Sequence, residues 1–349
     1  MKQLDLFLPF ALMPQEMSRD LLRELKMPSL AMLLARGKPL FRQSNDDFSR
    51  ALPHENLIAQ RFGLHTPSDN CSPQLAAGVI RMFDLPVESG FWFIVQPAHL
   101  HIARDHLVLT DPRQLNLSEQ DSHALFDVVK PLFEESGRTL LYVDATTWLL
   151  RADDLQALQT STPDAASGHN IDIWMPHGEQ ARDWRRLQNE VQMHWHTHPV
   201  NDAREMQGLK PVNSVWLWGG ASVPAQITQT QSPTLFATDD ASSLFKALAA
   251  KTIAAASPQD ILASQASNGL LILEDLIGPA IAGDWAEWLA RFQMLENVWF
   301  TPLLDAIKNG RLDTLSITLS HNTVITGYAI GKSSLHKFWR APSLARLAT

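Results

Sequence analysis

The sequence has one cysteine, Cys71, among 349 residues. An internal disulfide and a zinc site built from cysteines are therefore excluded, and the chain suits a reducing compartment, so we predict a cytoplasmic protein. Cys71 lies between Asn70 and Ser72 in a polar stretch with no basic neighbour to favour its thiolate. We interpret it as an unreactive side chain.

Long apolar runs are also missing. No uninterrupted stretch of about 18 apolar residues occurs, so we expect no membrane span. The apolar run Leu6–Met13 stands behind Lys2, as the core of a secretory signal does, but Pro9 interrupts it and no small-residue cleavage site follows. We interpret this run as a first buried strand.

An excess of positive charge is absent as well. The chain has 29 lysines and arginines against 37 aspartates and glutamates, which gives a net charge of -8. Because the two signs are interspersed, the sequence offers no general attraction to nucleic acid or to anionic lipid. We expect neither as a partner.

What is present is an alternation of strand and helix patterns. A strand is predicted at Leu4–Leu8, a helix at Met27–Arg36 that Gly37 ends, and further strands at Leu270–Leu273 and Leu315–Leu319. Such alternation is typical of an α/β fold with a mostly parallel sheet covered by helices. Ligands in such folds bind at the carboxyl ends of the strands.

The middle of the chain has a different pattern of short β-like runs and polar punctuation. Ser118 begins a helix pattern that continues through Glu135, and a strand is predicted directly after it. We therefore predict a smaller inserted α+β lobe at 85–205, within a core formed by 1–84 and 206–349.

Several motifs carry little chemistry. The Gly-x-Ser-x-Gly hydrolase motif is absent. Gly219–Gly220 follows a predicted buried strand, Val212–Trp218, but its spacing fits neither a phosphate loop nor a dinucleotide fingerprint, so we predict a tight turn. His194, His196 and His198 end a helical pattern that does not place all three on one face, so we favour a helix end over a metal site.

The segment from His198 to Gly220 has the most specific pattern. It reads His198-Pro199-Val200-Asn201, then Arg204 and Gly208, then Pro211-Val212-Asn213 before the buried strand and Gly219-Gly220. This order resembles a landmark of the archaeal-type cofactor-independent phosphoglycerate mutases of the alkaline phosphatase superfamily. Its last part, Pro211–Gly220, closely resembles the corresponding stretch of the bacterial RpfE-type regulatory proteins. The resemblance implies an alkaline-phosphatase-like three-layer αβα sandwich with an inserted smaller α+β lobe.

The resemblance does not extend to the positions at which the family has its metal ligands and its nucleophile. The family's Asp-Gly metal-ligand pair after the first strand corresponds to Pro9 and Phe10 here, and its nucleophilic serine with the following aspartate corresponds to His54 and Glu55. We therefore assign no catalytic residue, although His54 and Glu55 mark the former nucleophile loop.

The later metal ligands of the family are altered too. Its Asp-x-x-Gly-His set corresponds to Ala280, Ala282-Gly283 and Asp284 here, and its final Asp-His pair reads Ser320 and His321. Two divalent ions need several carboxylates to balance their charge, so we predict no cofactor and treat His321 and Asp284 as vestigial metal ligands.

Three functional interpretations follow from these residues. The leading one is a catalytically degenerate binding or regulatory protein that recognises a small phosphorylated or carboxylated molecule through His198, Asn201, Arg204 and Asn213. The alternative is an active phosphomutase or phosphohydrolase in which manganese or zinc is held by other carboxylates, namely Asp5, Asp20, Asp46, Asp47, Asp239 or Asp240. The third is a purely structural partner protein.

Overall fold

A computed structural model of the chain describes residues 1–64, 70–224, 233–238, 246, 249 and 251–348. Its contacts divide the chain into two units. Unit 1 comprises Met1–Asp47, Leu52–Gly63 and Thr230–Thr349, and unit 2 comprises Phe48–Ala51 and Leu64–Gln229. No described helix is long and apolar enough to cross a membrane.

The strands and helices are numbered in chain order. The strands are β1 (Gln3–Leu8), β2 (Lys38–Ser44), β3 (Gly90–Ala98), β4 (Leu100–Ala103), β5 (His106–Leu109), β6 (Thr139–Asp144), β7 (Thr147–Arg151), β8 (Ser214–Val223), β9 (Thr234–Ala237), β10 (Thr252–Ala254), β11 (Asn268–Ile272), β12 (Thr314–Ser320) and β13 (Val324–Gly331). The helices are α1 (Ser18–Glu24), α2 (Pro28–Arg36), α3 (Pro53–Arg61), α4 (Ala76–Met82), α5 (Glu119–Glu135), α6 (Pro163–Ala166), α7 (Ala181–His196), α8 (Pro199–Met206), α9 (Pro258–Ala263), α10 (Ile277–Ala282), α11 (Trp285–Leu295), α12 (Thr301–Lys308) and α13 (Lys332–Leu335).

Unit 1 is built on a mixed sheet with the strand order β10-β9-β11-β1-β12-β13-β2. The strands from β10 to β12 are parallel, and β13 runs antiparallel to both of its neighbours. Leu4, Leu6, Phe7 and Leu8 of the central strand β1 are all buried, as a strand covered on both faces requires. The predicted α/β fold with a mostly parallel sheet is confirmed.

Helix α2 is capped at its carboxyl end by cations from the last part of the chain. The carbonyl oxygen of Leu34 accepts from Arg346, that of Ala35 accepts from Arg340 at 3.3 Å, and that of Arg36 accepts from Lys337 at 3.4 Å. Carbonyls in the last turn of a helix lack partners within the helix and form the negative end of its dipole. The basic C-terminal segment is therefore anchored where positive charge is favoured.

Helices α11 and α12 form one continuous helical stretch, which contains a π-helical segment, Glu296–Phe300, between them. Pro302 has no N–H to continue the α pattern, and the N–H of Thr301 donates to the carbonyl of Glu296, five residues back. The carboxylate of buried Glu296 accepts from the N–H of Ser29 at 2.6 Å at the amino end of α2.

Unit 2 contains an antiparallel sheet with the order β6-β7-β3-β8 and a two-stranded β4–β5 ribbon. Helices α5 and α7 contact each other and contribute to one apolar core with this sheet, in which Trp148, Trp184 and Trp195 are fully buried. Ser118 caps α5 by accepting from the N–H of Asp121, as its position predicts.

The glycine pair of β8 is not a turn, so that prediction is wrong. Strand β8 continues through Gly219–Gly220, and its pairing with β3 shifts register between Trp92 and Ile94. Gly219 has a φ of +69°, and a Cβ there would lie 2.9 Å from Cδ1 of Ile94. The glycine therefore serves a β-bulge, where a positive φ and a close approach are both needed.

The two units differ from the predicted boundaries at 85 and 205. Strand β8, which the sequence placed in the core, pairs with β3 of unit 2. Helix α4 also lies in unit 2. An apolar run predicts a buried strand but does not indicate which sheet that strand joins.

Candidate functional site

A cluster of aromatic and imidazole rings lies at the carboxyl ends of two neighbouring strands in unit 1. Strands β1 and β12 are parallel, and Leu8 pairs with Leu319 at their ends. Phe10 follows the first strand and His321 follows the second. His54, the second residue of α3, completes this cluster, whose position is where α/β folds hold their ligands.

Phe10 is the strained member of the cluster. Its φ is +57°, in the left-handed region that a bulky side chain rarely adopts, and it is only 4% exposed. Its ring meets the His54 and His321 rings edge-on, with centroids 5.8 and 6.3 Å apart. Its carbonyl accepts from the Trp288 indole at 2.9 Å, so surrounding contacts hold the backbone in this conformation.

His54 is held by a hydrogen bond to the end of β12. Its Nδ1 lies 3.2 Å from Oγ of Ser320, and each of these residues is 1% exposed. A serine paired with a histidine can act as an activated nucleophile only if a substrate reaches the serine. At this burial, the bond instead joins α3 to β12.

The two acidic residues predicted near this site are used as helix caps. Glu55 accepts from the N–H of Leu52 at 2.6 Å, and Asp284 accepts from the N–H of Glu287 at 3.0 Å. The signal for Glu55 is visible in the sequence, because it stands three residues after the position that precedes α3, as the acidic member of a capping box does.

Burial lowers the pKa of His321, while the nearby negative charge of Glu16 acts in the opposite direction. Because the unfolded chain then binds a proton more readily than the folded one, stability is lost as the pH falls below the ordinary value of 6.5. We expect the melting temperature to fall across that range and His321→Asn to flatten the slope. His336→Asn, at an exposed position of unit 1, is the control, and an unchanged slope in His321→Asn would contradict the assignment.

Pairs of divalent ions, which the phosphoglycerate mutase resemblance implies, do not fit these side chains. The cluster offers two imidazoles, a hydroxyl and a phenyl ring, without the carboxylates that balance two dications. Within the described residues, no group of three or more histidine, cysteine or acidic side chains is arranged to hold a metal.

The carboxylates of the alternative interpretation are dispersed where they are described. Asp5 pairs with Arg61 at 3.1 Å, Asp20 lies in the first turn of α1, and Asp46 and Asp47 follow β2. Asp239 and Asp240 lie outside the described residues.

The predicted ligand-binding residues lie together in unit 2, where they contact mainly backbone. Ring Nδ1 of His198 accepts from the N–H of Val200. Asn201 bridges Trp195 and Val212 through hydrogen bonds of 2.8 to 2.9 Å. These contacts fix the start of α8 and the approach to β8.

Arg204 and Asn213, which precede and follow Lys210 in the sequence, both bond to backbone groups. Arg204, 2% exposed, donates to the carbonyls of Lys210 at 3.0 Å and Leu115 at 2.5 Å, and its Nη1 lies 3.7 Å from the Asp121 carboxylate. Burial lowers the pKa of Arg204, and Asp121 acts in the opposite direction. Asn213 exchanges two hydrogen bonds of 2.8 Å with the backbone of Leu100.

Comparisons with known proteins give a partial match. No protein-family model matches the chain. The 2,3-bisphosphoglycerate-independent phosphoglycerate mutase of Methanosarcina mazei is 24% identical over 127 residues, 35% of this chain and 32% of that enzyme. The enzyme of the same name from Methanosarcina barkeri is 31% identical over 77 residues, 22% of this chain and 19% of that enzyme. The sequence matches thus span a third or less of these relatives.

The comparison with solved structures gives two further similarities. The PH0037 protein from Pyrococcus horikoshii has a TM-score of 0.55 at 13% identity, covering 95% of this chain and 87% of that one. The cofactor-independent phosphoglycerate mutase from Thermoplasma acidophilum has a TM-score of 0.47 at 13% identity, covering 99% and 94%. The predicted α/β fold is confirmed at the level of the central mixed sheet and its helices. The chain has remote sequence similarity to cofactor-independent phosphoglycerate mutases.

Proposed function

We propose that this chain is a non-catalytic binding or regulatory protein of the bacterial cytoplasm, akin to the RpfE-type proteins, which recognises a small phosphorylated or carboxylated molecule. The observation that supports the proposal most directly is the position of Phe10. Its ring contacts both His54 and His321 at the strand ends where a phosphotransferase of this fold would need charged ligands. A phenyl ring provides no electron pair for a metal and no charge for a phosphoryl group.

The acidic residues nearby are consistent with this proposal. Glu55 and Asp284 each accept a backbone N–H at a helix start, so both already serve the fold. Turning either one towards a metal would leave a helix terminus without its cap, at a cost of about 1 kcal/mol.

The test is metal analysis and turnover on the purified protein. We expect protein prepared with manganese or zinc to carry less than one equivalent of metal and to leave a generic phosphate ester and 3-phosphoglycerate unchanged. The same preparation should melt at a higher temperature in the presence of a phosphate monoester, because a ligand that binds only the folded state stabilises it.

The competing enzyme function predicts a different set of results. Stoichiometric metal, together with turnover that disappears in His321→Ala and persists in His336→Ala, would overturn the non-catalytic assignment. If no small anion raises the melting temperature and no turnover occurs, the binding function is refuted and the purely structural role is favoured.

A further inference from the structure

Two histidines lie close together in unit 2, His99 between β3 and β4 and His101 within β4. His99 Nδ1 lies 2.7 Å from the carbonyl oxygen of Pro211. The Asn213 side-chain amide accepts from the N–H of Leu100 and donates to its carbonyl. The next residue, His101, places Nδ1 3.2 Å from Oγ1 of Thr110. The two imidazoles are nearly parallel, with 12° between their planes and 5.8 Å between their centroids.

The hydrogen bond to Pro211 sets the tautomer of His99. A carbonyl oxygen only accepts, so Nδ1 carries the hydrogen and donates it. In the neutral ring Nε2 is therefore a bare acceptor, and on protonation it becomes a second donor. An anion that binds beside this half-buried imidazole favours its protonated form, in which Nε2 donates to the anion.

The charges around His99 are positive. Its pKa is lowered mainly by burial; the bond to Pro211 raises it, and the positive charges of His101, Lys210 and Arg204 lower it further. The Lys210 ammonium donates to the neutral amide oxygen of Gln114 at 2.9 Å and forms no ion pair within the described part of the chain. Arg204 faces the Asp121 carboxylate at 3.7 Å, so on a chain with a net charge of -8 it is the Lys210 charge that lacks a counter-charge among the described residues.

We propose that His99, His101 and Lys210 form a binding site for the phosphate group of a small phosphate monoester. The proposal rests on the binding function proposed above and moves the ligand contacts away from Arg204 and Asn213. These two become positioning residues, since Arg204 holds the Lys210 carbonyl and Asn213 holds Leu100 between the two histidines. A phosphate dianion supplies the missing counter-charge, and lysine binds it as a point charge.

The experiment follows the histidine ring signals by NMR during separate titrations with inorganic phosphate, glycerol 3-phosphate and acetate. We expect phosphate and the monoester to shift the His99 and His101 signals and to raise the pKa of His99. Acetate should cause much smaller shifts. Lys210→Gln should weaken phosphate binding about tenfold, because it removes a charged contact. Lys130→Gln is the matched control, since Lys130 lies in the same unit and faces Glu134 at 3.7 Å.

Different outcomes test the phosphate site and the non-catalytic function on which it rests. Equal phosphate affinity in wild type and Lys210→Gln, or no shift of either histidine signal, would overturn the site. His101→Asn, at an exposed position, gives a second variant if Lys210→Gln is poorly folded, and it should also weaken binding. A response of His99 in a protein that also turns over phosphate esters would uphold the site and refute the non-catalytic function.

Discussion

Replacement of Arg50 with leucine is expected to lower the free energy of unfolding by about 3–5 kcal/mol. Arg50 is 8% exposed, and burial lowers the pKa of its guanidinium. Its guanidinium donates at 2.9 to 3.4 Å to five neutral acceptors of unit 2, namely Oγ of Ser161 and the carbonyls of Gln159, Ile173, Trp174 and Met175. Four of these contacts share the two hydrogens of Nη1, and the Gln159 carbonyl also accepts from the N–H of His177 at 3.0 Å. Leucine leaves the other acceptors without this donor, and each buried polar group so left costs about 1–3 kcal/mol.

The measurement is urea unfolding followed by tryptophan fluorescence, which reports mainly on unit 2 because seven of the eleven tryptophans lie there. Arg50→Lys should be intermediate, since one ammonium keeps the charge but cannot reach acceptors on all sides. Arg186→Leu is the control, because the Arg186 side chain is 77% exposed. If Arg50→Leu unfolds at the same urea concentration as Arg186→Leu, the assigned role of Arg50 is wrong.

Phe10 gives the second large effect, with an unusual order of variants. Phe10→Ala removes a buried ring and is expected to cost about 3 kcal/mol or more. Phe10→Gly removes one carbon further, yet we expect it to be more stable than Phe10→Ala by about 1 kcal/mol. The reason is the φ of +57°, which glycine adopts freely and alanine does not.

Phe7 provides the matched comparison for this order. It lies within β1 and is 1% exposed, but its backbone is that of an ordinary strand. Phe7→Gly should therefore be less stable than Phe7→Ala by about 0.5–1 kcal/mol. Thermal unfolding of the four variants tests the prediction, and the same order at both positions would show that Phe10 is not strained.

The local elements of the fold were largely predictable from the sequence, whereas the sheet partners were not. Helix α2 ends before Gly37, and strand β6 follows α5, both as predicted, because glycine, capping residues and β-branched runs act locally. Strand β2 was missed because Lys38–Ser44 is polar and exposed at the sheet edge. The β-bulge at Gly219 depends on Ile94 in another strand, which no local pattern reveals.

For the candidate site, the sequence indicated which residues lie near the strand ends, but not which groups their side chains contact. His54 and His321 both contact Phe10. Phe10 and His321 follow neighbouring parallel strands, whose carboxyl ends meet at one edge of the sheet, and His54 lies at the start of α3. The sequence predicts Asn201 and Asn213 as ligand contacts, but their amides bond to the backbone of Val212 and Leu100. Hydrogen bonds between residues distant in sequence cannot be inferred from spacing. We assign Asn213 a positioning role, and the ligand-binding role of Asn201 stays a prediction.

The position of β1 in the centre of its sheet has a consequence for biosynthesis. Gln3 pairs with Asn268 on one side and Thr314 on the other, so both partners are made about 265 residues or more after it. At a translation rate of about 5–20 residues per second, the apolar first strand waits roughly 15–50 s for its neighbours. Most of unit 2 is synthesised within that interval. The apolar nascent β1 therefore stays unpaired until β11 and β12 have emerged, and we expect a chaperone to shield it during that interval.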